Sequence, residues 1–406
     1  MQNISAFCKV YTDESGKETF ETITSNRIFK TVGKNNLNFG ITKATVWLKF
    51  SLKNLPRKPL LLSVDNSTLT EISFFYPDSL NHYKQKITGE SYPVATRDQI
   101  ASIVLFNIVP PTEQEQTYYL RIKSFSPLYF IVSLGTQPAV TERLYADNLG
   151  MSIFLGMMLA ISLLVLLVYF TIHDPNYLYY FCYLLSITFF VAYIKGYTHI
   201  IFKDTYPFNS PDMLLSASIA VMALTMFSTH LLQVKRYFPK IYPWLLVYAG
   251  LFVVQISLFL FLNRLVGVII LNYLGFLTLA FPVISYFTYQ KQYRPALFYG
   301  IGWLFITGCN GWLTLVRSEI LPYQSFVPQL FPAGLMGEVI FFSIAISENI
   351  QTLRRQKNQS QQALLQMVQQ QNILLERNVK DRTLEISKKN NELEAQNEEI
   401  RLQQEE

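Results

Sequence analysis

The chain has 406 residues, of which 50% are hydrophobic and 15% charged, and its formal net charge is +6. The charge is spread over loops and the C-terminal segment, so it makes no case for nucleic acid as a partner. Apolar runs long enough to cross a bilayer exclude an ordinary soluble domain for the central part of the chain.

Residues 1–142 have the pattern of a β-rich domain. At 43–53, apolar and polar residues alternate, with one apolar face that contains Ala44, Val46, Leu48, Phe50 and Leu52. Strict period two predicts a half-buried strand. Further predicted strands are 60–64, 72–76, 103–108, 118–123 and 128–134, separated by turn-forming residues. No helical period of comparable length appears, so we predict an all-β sandwich or jelly roll.

A ligand site on this domain would use an aromatic side chain with polar groups beside it. Trp47 and Lys49 lie on the polar face of the strand at 43–53, and we expect Tyr119 and Arg121 to lie on a neighbouring strand. These four residues are the candidate ligand site. The simpler interpretation, core packing or pairing on the sheet surface, is the one we favour.

Seven apolar runs follow, and each is about long enough to span a membrane. A hydrocarbon core of about 30 Å needs about 20 helical residues. Lipid cannot satisfy free backbone groups, so these runs must be helices. The predicted spans are 148–172, 177–202, 213–234, 241–262, 265–289, 295–316 and 329–350. Tyr and Trp near their ends, among them Tyr177 and Tyr180, are typical of an interfacial aromatic belt.

The distribution of Lys and Arg in the short loops gives the orientation. Lys203, Arg264 and Arg317 lie in the loops of one side, and Arg143 precedes the first span on the same side. The other side holds Lys235, Arg236, Lys240, Lys291, Arg294, Arg354, Arg355 and Lys357. We predict that this richer side is cytoplasmic, which places the N-terminus outside and the C-terminus inside.

Polar residues within the spans are candidates for a functional site, because charged groups at membrane depth are costly. Glu338 lies nine residues into the last span and should be protonated or paired. Asn310 and Asn272 are possible hydrogen-bond partners, and Gly334 and Gly337 would let a neighbouring helix approach closely. One interpretation is a polar switch with two hydrogen-bonding arrangements. The other, which we favour, is a static hydrogen bond between helices.

Lys195 and His199 fall near the outer end of the second span, where we expect them to reach the interface. The sequence has no HExxH motif, no metal-spaced His or Cys pair and no mid-span Lys for a Schiff base. We therefore expect no metal, chromophore or other cofactor.

The segment from 347 to 406 has no Pro and no Gly, which predicts one long helix. Its apolar positions are spaced first by eleven and then by seven residues: Leu353, Leu364, Leu375, Ile386, Leu393 and Ile400. These spacings predict a coiled coil that changes from straight or slightly right-handed to left-handed. We expect a parallel homodimer with these residues as its seam, with a solvated spacer helix as the alternative.

Three segments resemble one family of bacterial proteins. They are KVYTDESGKETFETI, NFGITKATVWLKFSLKN and TYYLRIKSFSPLYFIV, in this order before seven spans. The family is the seven-transmembrane receptors with diverse intracellular signalling modules, in the group with a type-2 extracellular domain. The resemblance covers roughly residues 7–350, although Lys49 stands where an Arg is expected. It implies a jelly roll related to carbohydrate-binding modules, a small carbohydrate or similar solute as ligand, and location in the bacterial inner membrane.

The segment ERNVKDRTLEISKKNNELEAQNEEI resembles the linkers that precede histidine kinase or diguanylate cyclase domains. No glycine-rich ATP lid, no GGDEF motif and no His after residue 230 follows. We therefore expect the output module to lie beyond residue 406 or on a partner. At the other end, the first residues lack the apolar stretch of a signal peptide, so we expect a start upstream of Met1 or a trimmed chain.

Together these features predict a signalling receptor with a sensor domain at 1–142, a seven-helix domain at 143–350 and a signalling helix at 351–406. The first alternative is a sensor histidine kinase or diguanylate cyclase without its catalytic domain. A transporter or channel is less favoured, because the spans show no clear internal repeat. The expected partners are a small-molecule ligand, the bilayer, a second copy of the chain and the output module.

Overall fold

The computed structural model describes residues 1–53, 58–78, 80, 82–108, 115–124, 127–205, 211–317, 320–321 and 326–404. Parts of two predicted loops, at 206–210 and at 318–319 and 322–325, lie outside the described residues. The chain forms two compact units, Met1–Ser343 and Ile344–Glu406.

The N-terminal part of the first unit consists of strands and one short helix. The helix, α1, is Phe20–Asn26. The strands are β1 Gln2–Asn3, β2 Lys9–Asp13, β3 Lys30–Thr31, β4 Leu37–Asn38, β5 Thr45–Leu52, β6 Leu60–Val64, β7 Glu71–Pro77, β8 Tyr83–Thr88, β9 Val104–Ile108, β10 Gln116–Lys123, β11 Tyr129–Phe130 and β12 Val132–Thr136.

These strands form an antiparallel sandwich. One sheet has the order β3-β2-β5-β10-β7-β8, the other has the order β1-β12-β6-β9, and β4 and β11 form a small third pair. The core between the two larger sheets contains Leu48 and Leu120 from one sheet and Leu62 from the other. Phe74 and Phe106 meet across it with ring centroids 5.0 Å apart. This confirms the all-β sandwich predicted from the sequence.

The predicted strands are found close to their expected places. The strand at 60–64 has the predicted ends, and the alternating segment at 43–53 forms β5. The segment at 128–134 is divided into β11 and β12. Short elements were missed, notably β2, β8 and helix α1, because runs of five to seven residues carry little periodic signal.

Helices make up the rest of the chain. They are α2 Gln137–Ile172, α3 Pro175–Ile194, α4 Tyr197–Ile201, α5 Leu215–Leu231, α6 Val234–Tyr237, α7 Tyr242–Phe261, α8 Arg264–Leu277, α9 Ala280–Gln290, α10 Pro295–Arg317 and α11 Leu330–Gln404. Local sequence sets several ends. Asp174 caps α3 by accepting a hydrogen bond from the Asn176 amide at 2.9 Å, and Pro175 fills the first helical position.

Six helical segments of the described chain are long and apolar enough to cross a membrane: Gln137–Ile172, Pro175–Ile194, Asp212–Leu231, Tyr242–Phe261, Arg264–Gln290 and Leu330–Asn397. Each corresponds to one predicted run. The remaining run, 295–316, is helix α10, whose glycines and Asn310 make it less apolar. The second span is shorter than predicted, because the chain turns at Gly196 and continues as the separate helix α4.

Candidate functional site

The four predicted ligand-site residues lie together on one face of the six-stranded sheet. The register of β5 and β10 places Lys49 opposite Tyr119 and Trp47 opposite Arg121. The Lys49 ammonium lies 5.6 Å from the centre of the Tyr119 ring, and the Arg121 guanidinium lies 5.9 Å from the Trp47 ring. The sequence therefore placed these side chains correctly on neighbouring strands.

This face is not an open polar surface, as the alternation in β5 had predicted. Helix α1 lies over it, and Phe20 stacks on Phe75 with ring centroids 4.4 Å apart. Trp47 is fully buried in a small apolar cluster with Ile23, Phe75 and Tyr119. The prediction of an outward-facing Trp47 is wrong, because the missed helix α1 covers the indole.

The polar groups around this cluster are only half-buried. Lys49 and Arg121 remain partly accessible, and Arg121 forms an ion pair with Glu71. Tyr92 also donates a hydrogen bond to Glu71, at 3.1 Å. The Trp47 indole N–H has no hydrogen-bond acceptor among the described residues. Ligand contact by the four residues stays a prediction.

Within the membrane domain, Glu338 is the buried charged residue that the sequence singled out. It lies on α11 with 1% of its surface exposed. Its carboxyl group accepts a hydrogen bond of 2.6 Å from the hydroxyl of Tyr183 on α3. Tyr180, one turn earlier on α3, donates to the backbone carbonyl of Val339 at 3.0 Å. With a further contact of 3.4 Å between the Tyr180 and Ser343 hydroxyls, hydrogen bonds from two tyrosines join helix α3 to helix α11.

The other two predicted members of the intramembrane site make different contacts. The Asn272 side chain is exposed and donates to the Val268 carbonyl of its own helix at 2.8 Å. Asn310 is half-buried on α10, and its carbonyl accepts from Thr314 at 2.8 Å. The described hydrogen-bond partner of Glu338 is Tyr183 rather than either asparagine. The role of these residues as a switch stays a prediction.

The glycines beside Glu338 allow close helix packing, as predicted. A Cβ atom added to Gly337 would lie 2.6 Å from the Phe305 ring of α10, and one added to Gly334 would lie 2.8 Å from the Cys309 side chain. Larger residues at either position would push α10 and α11 apart.

The sequence did not predict a cluster of buried tyrosines that lies against helix α11. Tyr180, assigned above to the interfacial belt, is fully buried and bonds to α11, so that assignment is wrong. Tyr299 on α10 stacks on Phe342 of α11 at 4.6 Å and shares a 2.5 Å hydrogen bond with Ser228. A signal was present in the sequence, because Tyr180 and Tyr183 are three residues apart and so share one helical face.

A family model for seven-transmembrane proteins, described as 7TM diverse intracellular signalling, matches residues 147–349, which is half of the chain. The chain belongs to this family. A second model, described as 7TMR-DISM extracellular 2, matches residues 5–136. The chain is therefore a multi-pass membrane protein of the 7TMR-DISM group with a type-2 extracellular domain.

Several solved structures resemble about a third of this 7TMR-DISM chain. One is TmCBM61 in complex with beta-1,4-galactotriose, with 8% identity, a TM-score of 0.21, and coverage of 34% of this chain and 100% of that one. Another is CpGH89CBM32-6 produced by Clostridium perfringens, with 6% identity, a TM-score of 0.16, and coverage of 33% and 96%. The antiparallel sandwich is established by the strand pairing of this chain. No curated protein matched the chain.

The predicted seam of the signalling helix lies on the C-terminal unit of this 7TMR-DISM chain. All six seam residues are exposed in the single chain, with exposed fractions of 41% for Leu353, 61% for Leu364, 63% for Leu375, 60% for Ile386, 55% for Leu393 and 53% for Ile400. Apolar residues at this spacing form one exposed stripe along the described part of the helix. Whether a second copy covers it stays a prediction.

Proposed function

We propose that this protein is a signalling receptor of the bacterial inner membrane, with its sandwich outside and its C-terminus in the cytoplasm. The sandwich binds a ligand, the seven helices change their packing, and helix α11 carries the change inward. The observation that supports this relay is the continuity of α11, Leu330–Gln404. Its first turns hold the buried Glu338, and its later turns carry the apolar stripe.

A continuous helix is suited to this task because displacement at one end cannot be absorbed by a loop. Packed helices shift by about 1–2 Å or rotate between discrete arrangements rather than deforming continuously. A ligand can drive such a shift only by binding the two arrangements with different affinity. The Tyr183–Glu338 hydrogen bond of 2.6 Å is a contact that two arrangements of α3 and α11 would make differently.

The partner proposed for the apolar stripe is a second copy of this chain in parallel orientation. In a parallel dimer each seam leucine meets its own equivalent, so one repeat pattern serves both helices. Asn390 and Asn397 interrupt the stripe four residues after seam positions. Polar residues at such positions cost stability and fix register and partner number.

The proposed ligand is a small carbohydrate or a similar solute, bound at the face that carries Lys49 and Arg121. Support comes from half-buried Lys49 and Arg121 beside an aromatic cluster, since small-molecule sites combine aromatic side chains with a few placed polar groups. Because Trp47 lies beneath helix α1, a sugar would stack on it only if α1 moved. Lys49 and Arg121 would be reached without such movement.

The output module is proposed to be a histidine kinase or diguanylate cyclase, either continuing the chain or belonging to a partner. The linker-like sequence 376–400 supports this assignment. Determining the gene sequence past codon 406 decides between continuation and partner.

Cysteine cross-linking in membranes tests the relay. Leu375→Cys, in a chain whose three native cysteines are replaced by alanine, should form a disulfide between copies, and Arg377→Cys, off the stripe, should do so much less. Ligand should change the yield at Leu375. A chain that never cross-links at any seam position would contradict the parallel dimer.

The switch role of Glu338 has a separate test. Glu338→Gln keeps the size and hydrogen-bonding capacity of the side chain but removes its ability to ionise. If the site is a switch, this variant fused to a reporter kinase should show shifted basal output. Unchanged output would leave the static hydrogen bond as the better interpretation.

Ligand class is tested by thermal unfolding of the full chain in nanodiscs against a panel of sugars. A ligand that binds only the folded state raises the melting temperature with concentration. Lys49→Met should reduce that rise, whereas Lys53→Met, an exposed residue just past the same strand, should not. No shift with any sugar would count against a carbohydrate ligand.

A further inference from the structure

Helix α3 carries two tyrosines that each hydrogen-bond a buried carboxyl group on a different part of the protein. Tyr183 donates to Glu338 of α11, and Tyr193 donates to Glu90, which follows strand β8 of the outer sandwich. All four side chains are at most 3% exposed. The two tyrosines are ten residues apart, about 15 Å along the helix axis.

The outer contact belongs to a docked interface rather than to a single hydrogen bond. Gly196, at the turn after α3, has a φ of 77°, and a Cβ added there would lie 2.1 Å from the Ser102 carbonyl oxygen of the sandwich. Ser67 donates to the Ile194 carbonyl at 3.2 Å, and the Val94 amide donates to Asp204 at 2.7 Å. The end of α3 and the segment that follows it are therefore fixed against three separate loops of the sandwich.

Charged groups surround this contact on both sides. Glu90 faces Arg97 of the sandwich and the Asp212–Arg264 ion pair of the membrane domain, whose charged atoms are 3.0 Å apart. Burial raises the pKa of Glu90 to about 8, although the hydrogen bond from Tyr193 opposes this. His199, predicted above to reach the membrane interface, is instead 1% exposed and lies near Arg97 and Asp204.

The segment of α3 between the two tyrosines is suited to transmit movement. It contains neither Pro nor Gly, so it has none of the usual sites at which a helix kinks. Its neighbours α2 and α5 pack along it, and close-packed interiors have low compressibility. A displacement of Tyr193 by the sandwich would therefore reach Tyr183 with little loss.

We propose that helix α3 is the coupling element of the receptor, with the Glu90–Tyr193 pair sensing the position of the sandwich and the Tyr183–Glu338 pair passing it to α11. This inference rests on the proposed relay function and adds the path by which the outer domain reaches the signalling helix. Tyr193 and Tyr183 are positioning residues in it, not ligand contacts.

A double-mutant cycle on the full chain in nanodiscs tests this coupling. Tyr193→Phe and Tyr183→Phe each remove one hydroxyl group, and each should lower the melting temperature by a few degrees. Substitutions more than about 7–10 Å apart normally add. We expect the double variant to lose less melting temperature than the two single variants lose together, because loosening one end of α3 already relaxes the other.

The matched control is Tyr197→Phe. Tyr197 lies on α4, and its hydroxyl donates to Asn148 of α2 at 2.8 Å. Asn148 also accepts from Ser102 of the sandwich at 3.2 Å, so this contact borders the same interface without involving α3. Combined with Tyr183→Phe it should be additive. Additivity for Tyr193→Phe as well would overturn the proposal. Should Tyr193→Phe fail to fold, Glu90→Gln takes its place in the cycle.

A second readout separates coupling from simple stabilisation. In the Leu375→Cys background, Tyr193→Phe should change the cross-linking yield of the signalling helix, and Tyr197→Phe should not. An unchanged yield with Tyr193→Phe would reject α3 as the path. If Leu375→Cys does not cross-link at all, the dimer fails, and the melting cycle still decides the coupling independently.

Discussion

The two tyrosine–glutamate pairs of helix α3 contain the same chemical groups in different surroundings. The outer pair, Tyr193 and Glu90, lies where the sandwich meets the membrane domain, with Arg97, Asp212 and Arg264 near the carboxyl group. Because Glu90 can ionise and burial raises its pKa, the free energy of this contact depends on pH. The outer pair can therefore respond to chemical conditions as well as to position.

The inner pair, Tyr183 and Glu338, lies among aromatic rings of α3, α10 and α11. A carboxyl group in such surroundings depends on its hydrogen-bond donor, because little else nearby can replace the lost hydration. The inner pair therefore depends on the position of Tyr183 relative to Glu338. The contrast is therefore one of surroundings: charged groups near Glu90 and aromatic rings near Glu338.

Gly196→Ala should break the outer contact and produce the largest effect. A non-glycine residue in the left-handed conformation costs about 1–3 kcal/mol, and the new Cβ would also overlap the Ser102 carbonyl oxygen at 2.1 Å. We expect a loss of stability at or above that range, measured by thermal unfolding in nanodiscs. Gly250→Ala on α7, where a Cβ meets nothing within 4 Å, should be neutral or slightly stabilising.

Tyr183→Phe should cost more than Tyr193→Phe. Loss of the donor to a buried carboxyl group costs about 1–3 kcal/mol, and charged groups around Glu90 can compensate part of that loss while the rings around Glu338 cannot. Tyr273→Phe, at a tyrosine that is 72% exposed, serves as the control with no expected loss. Equal losses at the two pairs would remove the distinction drawn between them.

Much of the sandwich could be predicted from the sequence, and the reason lies in its period. Alternation in β5 predicted which residues enter the core, whereas the register of β5 with β10 is known only from the structure. The prediction that the other face of β5 is exposed to solvent was wrong. Helix α1 is seven residues long, too short to show a helical period, and its presence turns Trp47 from an outward to a buried residue.

In the membrane domain the sequence identified the buried carboxyl group of Glu338 but not its hydrogen-bond donor. Glu338 was identified because a carboxyl group in an apolar run is conspicuous by itself. Tyr183 was not, because tyrosines are common in these spans and only packing selects which one meets α11. The Glu90–Tyr193 contact could not be predicted from the sequence, because it joins residues 103 positions apart in two different domains.

The outer pair should give the stability of the protein a pH dependence. Burial raises the pKa of Glu90 to about 8 from an ordinary value of 4.5, so folding favours its protonated form. Its contribution is complete below pH 4.5 and is lost as pH rises towards 8. Burial lowers the pKa of His199 to about 4 from 6.5, so that contribution is lost as pH falls through this window.

The two groups change the free energy of unfolding in opposite directions, so their effects partly cancel between about pH 4.5 and 6.5. Above pH 6.5 only the effect of Glu90 remains, at most about 1.4 kcal/mol per pH unit. Melting temperatures of the wild type should therefore fall between pH 6.5 and 8. Glu90→Gln should flatten this fall relative to the wild type. An identical fall in both would show that Glu90 does not titrate in this range.

The smallest effect is expected for a charged pair outside both contacts. Glu385 on the signalling helix lies 3.7 Å from Lys389 and 3.8 Å from Arg382, with 54% of its side chain exposed. Glu385→Gln should change the hydrogen-exchange protection of residues 380–390 by less than about 0.5 kcal/mol, because exposed pairs are screened by water and salt. Such a result would show that the tyrosine–glutamate pairs on α3 contribute to stability because they are buried and not merely because they are polar. A loss of protection above about 1 kcal/mol would mean that Glu385 is covered when the chain assembles. A two-helix coiled coil with Leu375 and Ile386 in its seam does not require this.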